Sequence, residues 1–204
     1  MTDSVGAAKR ALRRQVRAGR RTATAGDTDD IATELARRVG SLPEVAQANV
    51  VAAYVALPGE PPTSILLQVL AERGVRVLLP VVQPDLDLDW ALDDGSRHAG
   101  PGLGILEPGG PRLGRGAIAS ADVVLVPALA VDFRGARLGQ GGGCYDRALA
   151  RARADVLVVA LLHDDELLTK PVPTDEHDRP VGAAVTPLRV VRFGPRPSGP
   201  RLEP

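Results

Sequence analysis

The chain has 204 residues, enough for one domain with a substantial core. Hydrophobic residues at 44% and charged residues at 25% are ordinary globular usage, which excludes disorder as the main state. Lys and Arg total 25 against 25 Asp and Glu, a net charge of +0 that argues against a nucleic-acid coat or a membrane-surface protein.

The first predicted element is a helix carrying Lys9, Arg10, Arg13, Arg14, Arg17, Arg20 and Arg21. Ala8, Leu12 and Val16 recur every four residues and form a narrow apolar stripe, while Lys9, Arg13 and Arg17 share another face. Such a basic face is commonly just solvated, though it can also reach phosphates. This segment has no apolar signal core, so the cytoplasm is the expected compartment. A second helix is predicted over Thr28–Val39, with Ile31, Leu35 and Val39 inward and Asp27 or Thr28 as its cap.

Asn49–Leu57 is a nearly continuous apolar run, the pattern of a strand covered on both faces. A helix over Ser64–Arg73 closes at Gly74, and Val75–Val82 is the next strand. Leu86–Leu92 alternates like a half-exposed strand. Val123–Val131 and Val156–Leu162 are two more buried strands, separated by a glycine-rich loop and a helical stretch over Tyr145–Arg153. Strand and helix in alternation imply an α/β fold, a mainly parallel sheet with helices on both faces. The N-terminal helical pair and residues 84–115 are read as insertions around one domain over residues 1–193. The Pro- and Gly-rich tail, 194–204, is expected to be disordered.

The strongest chemical signal is Gly139, Gly141, Gly142 and Gly143 between a strand and a helix. Such a loop can point successive N–H groups at one anion beside a helix N-terminus. Arg137 and Arg147 add full charges, and Asp146 can hold Mg²⁺ beside phosphate oxygens. The other reading is a flexible connection whose glycines serve tight packing. No Gly-Lys-Ser/Thr closes the loop, so it is no Walker A motif, and the Rossmann spacing is absent too.

Glu60 follows the C-terminal end of a strand, where it is either a ligand for an N–H-bearing ring or a solvated turn acid. Gly100–Pro108 reads as a loop that covers a pocket or simply makes turns. Asp175, Glu176, His177 and Asp178 form an acidic cluster without metal-site spacing, from which Asp178 can supply one oxygen to a hard cation. The only cysteine, Cys144, excludes an internal disulfide, and no triad partners surround His98, His163 or His177. No coiled-coil pattern is present, which is consistent with a monomer or a weak oligomer.

Four segments in order, KRALR at Lys9–Arg13, LPGEPPT at Leu57–Thr63, GLGILEP at Gly102–Pro108 and VDFRGARLGQGGGCYDR at Val131–Arg147, resemble the 5-formyltetrahydrofolate cyclo-ligase (methenyltetrahydrofolate synthetase) family over nearly the whole chain. The resemblance implies a fold related to the sugar-phosphate isomerase and CoA-transferase group. It also implies ATP- and Mg²⁺-dependent closure of 5-formyltetrahydrofolate to 5,10-methenyltetrahydrofolate.

By position, Lys9, Arg10, Ala11, Leu12, Arg13, Arg137, Leu138, Gly139, Gln140, Gly141, Gly142, Gly143, Cys144 and Tyr145 would contact ATP. Val55 and Glu60 would contact the folate with residues 140–144, and Asp146 and Asp178 would hold the metal. Arg137, assisted by Lys9, would act on the transferring phosphate. Three places depart from the family pattern. Tyr is usual at Cys144, Asp is common at Gly182, and the loop Leu103–Ile105 lacks an aromatic. The competing readings are an ATP-dependent enzyme for another formyl or carboxylate substrate and a nucleotide-binding module without catalysis.

Overall fold

The structure, a computed structural model, describes residues 2–22, 28–100 and 106–194, with only the helical placement given for residues 2, 3, 21 and 22. In chain order the elements are α1 (Thr2–Thr22), α2 (Thr28–Gly40), α3 (Pro43–Ala46), β1 (Val50–Ala52), α4 (Ser64–Glu72), β2 (Arg76–Val82) and β3 (Leu88–Leu92). A hairpin of β4 (Arg97–Ala99) and β5 (Leu106–Pro108) precedes β6 (Val123–Pro127), β7 (Ala130–Asp132) and β8 (Arg137–Leu138). The chain then forms α5 (Cys144–Leu149), β9 (Leu157–Leu161), β10 (Leu167–Leu168), β11 (Ala183–Val185) and β12 (Val190–Arg192).

Seven strands make the main sheet in the order β12-β11-β9-β6-β1-β2-β3. The inner pairs are parallel, and only the outermost pairs, β2 with β3 and β11 with β12, are antiparallel. Val51 of β1 pairs with Val77 on one side and Val123 on the other. Alternate side chains therefore leave opposite faces. Val51, Val77 and Val123 bury against Leu35 and Val39 of α2 and Leu66 and Leu70 of α4. Ala52, Leu78 and Val124 bury with Trp90, Ile118 and the α5 residues Ala148 and Leu149. Helical structure covers both faces, as the apolar runs predict, and each buried Leu or Val contributes about 1.5–3 kcal/mol.

A second sheet, β10-β7-β8, lies beyond the end of β6. Leu12 and Val16, the apolar stripe of α1, pack against its Leu129, Ala130 and Leu138. The run 123–131, expected as one strand, is therefore two, β6 in the large sheet and β7 in the small one. Residues 84–115 are not a mere insertion either, because β3 completes the main sheet and buries Trp90. Nor is the helical pair, since α2 is one wall of the core. Asp27, the loop 103–105 and the tail 195–204 lie outside the described residues. Among the described residues no helix is long and apolar enough to cross a membrane.

Candidate active site

In the main sheet, β2 lies on one side of β1 and β6 on the other, so the chain reverses its direction of winding there. In open α/β sheets the crevice beyond such a reversal is where ligands bind. A cavity of about 910 Å³ opens there, lined by Tyr54 and Val55 past β1, Pro80 and Val82 of β2, and Pro127 at the end of β6. Lys9, Arg10, Arg13, Glu60, Asp146, Asp178 and every residue from Arg137 to Tyr145 also line it. Ala11 and Leu12 do not, because one is solvent-exposed and the other packs on the small sheet.

The turn between β7 and β8 brings Arg137 into the cavity. Asp132, fully buried, accepts hydrogen bonds from the amides of Arg134 (2.8 Å), Ala136 (3.0 Å) and Val172 (2.9 Å) and from the Arg134 guanidinium. Burial opposes its charge, but those three amides outweigh it and hold the carboxyl below its usual value.

Arginines from α1 and α5 hold the glycine loop that follows β8. Arg13 Nε donates to Gly139 O at 2.9 Å, Arg17 Nη2 to Gln140 O at 3.1 Å and Arg147 Nη2 to Gly142 O at 2.9 Å. The carbonyls of Gly139, Gln140 and Gly142 are taken up by guanidinium groups. Among the described residues no acceptor takes the amides of Gln140, Gly141, Gly142 or Gly143. Amides free of internal partners beside full positive charge suit an anion. Glycine leaves room for the arginines, and at Gly141 the backbone itself favours it. A Cβ on Gly139 would stand 2.8 Å from Arg137 Nη1, and one on Gly141, whose φ is +110°, would stand 3.3 Å from Arg13 Cζ.

The expected contribution of a helix N-terminus is small, because α5 has only six residues. Its Asp146 accepts from Arg137 Nη2 at 2.7 Å and from the Arg179 amide at 3.3 Å. Arg137 has a further, long contact to Pro127 O at 3.5 Å, and it lies 6.0 Å above the Tyr145 ring. Lys9, buried, donates to Asp175 at 2.7 Å and to Asp178 at 2.5 Å. Burial works against the Lys9 charge, but the two carboxylates outweigh it and raise its pKa, so Lys9 stays protonated. Burial likewise pushes the phenols of Tyr54 and Tyr145 upward, which leaves neither as a base at neutral pH.

The basic face of α1 is therefore not merely solvated. Lys9, Arg13 and Arg17 clamp acidic or carbonyl partners, and Arg20 adds a buried ion pair with Glu166 at 2.5 Å. Asp146 and Asp178 offer oxygen donors only, the set a hard cation takes. Among the described residues no group of three or more His, Cys, Asp or Glu is arranged for a metal, and His177 is exposed. A cation on these two carboxylates would fill its shell with phosphate oxygens and water, the usual habit of Mg²⁺.

Glu60 closes the other end of the cavity. Its Oε2 accepts from the Leu57 amide at 3.0 Å and its Oε1 from Gln140 Nε2 at 3.3 Å. Sequence reasoning missed Tyr54, Pro80, Val82 and the reach of Arg17. Strand-end residues become wall residues only when the sheet assembles, but Arg17 was visible in the four-residue spacing of its helix face.

Residues 5–187 match the 5-formyltetrahydrofolate cyclo-ligase family. The chain belongs to that family. It is 44% identical over 144 residues to the 5-formyltetrahydrofolate cyclo-ligase of Mycolicibacterium smegmatis, covering 68% of this chain and 74% of that one. It is 31% identical over 179 residues to the Escherichia coli enzyme of the same name, covering 86% and 98%. The fold is similar to that of Aquifex aeolicus 5,10-methenyltetrahydrofolate synthetase, with a TM-score of 0.77, 28% identity and 96% of each chain covered. At 16% identity and a TM-score of 0.69, the Mycoplasma pneumoniae synthetase is similar in fold.

Two positions where the resemblance implies other residues can be placed in the fold. Gly182 does not line the cavity that Asp175–Asp178 line. Its amide donates to Val158 O beside β11, and a Cβ there would stand 2.9 Å from Leu157 Cδ1. Cys144 does line the cavity, half-buried, with its flank on the apolar cluster that holds Trp90.

Proposed function

We propose that this chain catalyses the ATP- and Mg²⁺-dependent closure of 5-formyltetrahydrofolate to 5,10-methenyltetrahydrofolate, with release of ADP and phosphate. The observation that carries the reading is the glycine loop, with its amides free and its carbonyls held by arginines, between Lys9 and Arg137 on one side and Glu60 on the other.

The free amides, Lys9 and Arg137 bind the triphosphate, with Arg137 on the transferring group. Lys9 and Arg137 already neutralise Asp178 and Asp146, so a polyphosphate meets cations rather than bare carboxylates. Asp146 and Asp178 hold Mg²⁺, which when bound offsets charge on the phosphate oxygens. Glu60 accepts hydrogen bonds from the N–H groups of the folate ring, and Val55 packs against it.

The formyl oxygen attacks the terminal phosphorus, and the bond to ADP breaks. The N10 lone pair then attacks the activated formyl carbon. The carbon–oxygen bond to phosphate breaks, N10 loses its proton and the methenyl bridge remains. Positioning and charge neutralisation dominate phosphoryl transfer, so a cradle of amides and guanidinium groups suffices without a protein nucleophile.

The test is the growth of methenyltetrahydrofolate absorbance when protein, 5-formyltetrahydrofolate, ATP and Mg²⁺ are combined. Growth that requires all of them is expected. Nucleotide binding with no product would overturn the reading and point to another substrate, with Cys144→Tyr as the next variant.

A further inference from the structure

Arg17 lies outside the cavity, on an exposed turn of α1, yet it makes two hydrogen bonds to one loop residue. Its Nη2 donates to Gln140 O at 3.1 Å and to Gln140 Oε1 at 2.7 Å. The same amide group, through Nε2, donates to Glu60 Oε1 at 3.3 Å. The chemistry of the ends fixes the middle. A guanidinium has donors and no acceptor, an ionised carboxylate has acceptors and no donor, and an amide has one of each end. Only one orientation of the Gln140 amide satisfies both neighbours, with its oxygen toward Arg17 and its nitrogen toward Glu60.

We propose that Arg17 is a positioning residue for the folate subsite, acting through Gln140 on the Glu60 carboxylate. The inference rests on the reading that Glu60 binds the folate ring. With Oε2 held by the Leu57 amide and Oε1 by Gln140, both oxygens of this cavity-lining carboxylate are tied and its plane is set. Without Arg17, the Gln140 side chain is tied at one end only, by the longest bond of the three, and the carboxylate swings with it. The main chain of the loop loses one contact, at Gln140 O, and keeps those of Arg13 and Arg147. The loss therefore falls on the folate side rather than on the phosphate cradle.

The experiment compares Arg17→Met, Gln140→Leu and the double variant, with calorimetric binding of a non-hydrolysable ATP analogue and thermal melting beside steady-state kinetics. Arg17→Met is expected to raise KM for 5-formyltetrahydrofolate about three- to tenfold, the order of one lost charge-assisted hydrogen bond acting at second hand. Nucleotide affinity should change less than about twofold and the melting temperature stay put, on the same reasoning. Arg17→Lys, with a single point charge in place of the fork, should recover part of the loss. Adding Arg17→Met to Gln140→Leu should cost no further folate affinity, because Gln140→Leu has already removed the side-chain path to Glu60 and leaves Arg17 only its bond to Gln140 O.

Full additivity in the double variant, or an equal fall in nucleotide and folate affinity, would overturn the positioning role. Glu60→Gln separates the two levels. If it leaves folate affinity intact, the reading of Glu60 falls. If it weakens folate binding while Arg17→Met does not, the proposal alone fails.

Discussion

The large sheet and the small one sit side by side and are held by different forces. Around β1, β6 and β9 the contacts are Val, Leu and Ala from strands and helices, and burial away from water does the stabilising. Around β7, β8 and α1 the apolar contact is thin. The segment is pinned instead by Asp132 with its amides, Arg20 with Glu166, and Lys9 with Asp175 and Asp178. The first arrangement tolerates changes of charge and salt, whereas the second positions charged groups accurately but depends on their ionisation. The site belongs to the second, where directed hydrogen bonds can present amides and cations to an anion.

The largest effect should come from Arg137→Ala. We expect kcat to fall about 10³-fold, roughly 4 kcal/mol of transition-state stabilisation, with the melting temperature nearly unchanged. A matching collapse of stability would show that Arg137 is a structural pin and would blur the division between the sheets.

Leu35→Ala, in the wall formed by α2, should do the reverse. Chemical denaturation should report a loss of about 2–5 kcal/mol, while KM for either substrate stays within error.

Asp132→Asn should cost about 1–3 kcal/mol, because its new NH₂ group must face an amide donor. Its signature is a change in pH dependence. The native carboxyl lies below its ordinary value of 3.8, so its contribution is present above that value and fades as the pH falls through the depressed native one. Melting curves of the parent should drop more steeply below about pH 4 than those of the Asn variant. Parallel curves would remove Asp132 from the account.

The smallest effect is expected at the far edge, where Arg192 and Glu44 form a bidentate pair at 2.7 Å. The Arg192 hydrogen bond lowers the Glu44 carboxyl to about 2, yet both groups are well exposed. Arg192→Ala should change unfolding stability by less than about 1 kcal/mol. A larger loss would mean that exposed pairs here matter as much as the buried ones under α1.

How much was legible follows the same division. NVVAAYVAL, VRVLLPVV and VLVVALL announce buried parallel strands because burial on both faces selects continuous apolar runs. The ladder at β11 and β12 was missed because each strand has three residues, too few for a period to show. The break between β6 and β7 was missed for a related reason. An uninterrupted apolar run carries no mark of the point where it leaves one sheet for another.

The glycine cluster, Arg137, Asp146 and Glu60 stood out by composition and place, whereas Ala11 and Leu12 were included by motif although their helix face turns them away from the cavity.

The sequence by itself determined the α/β class, the family and the residue types that meet an anion, since periodicity and local composition are properties of neighbours along the chain. Only the tertiary structure decided that α1 docks on the small sheet, that Arg13 and Arg17 bind carbonyls of the glycine loop, and that Arg17 also reaches the Gln140 side chain. The contacts of α1 join residues more than a hundred positions apart, and their hydrogen-bond geometry exists only once the packed core has fixed the distances.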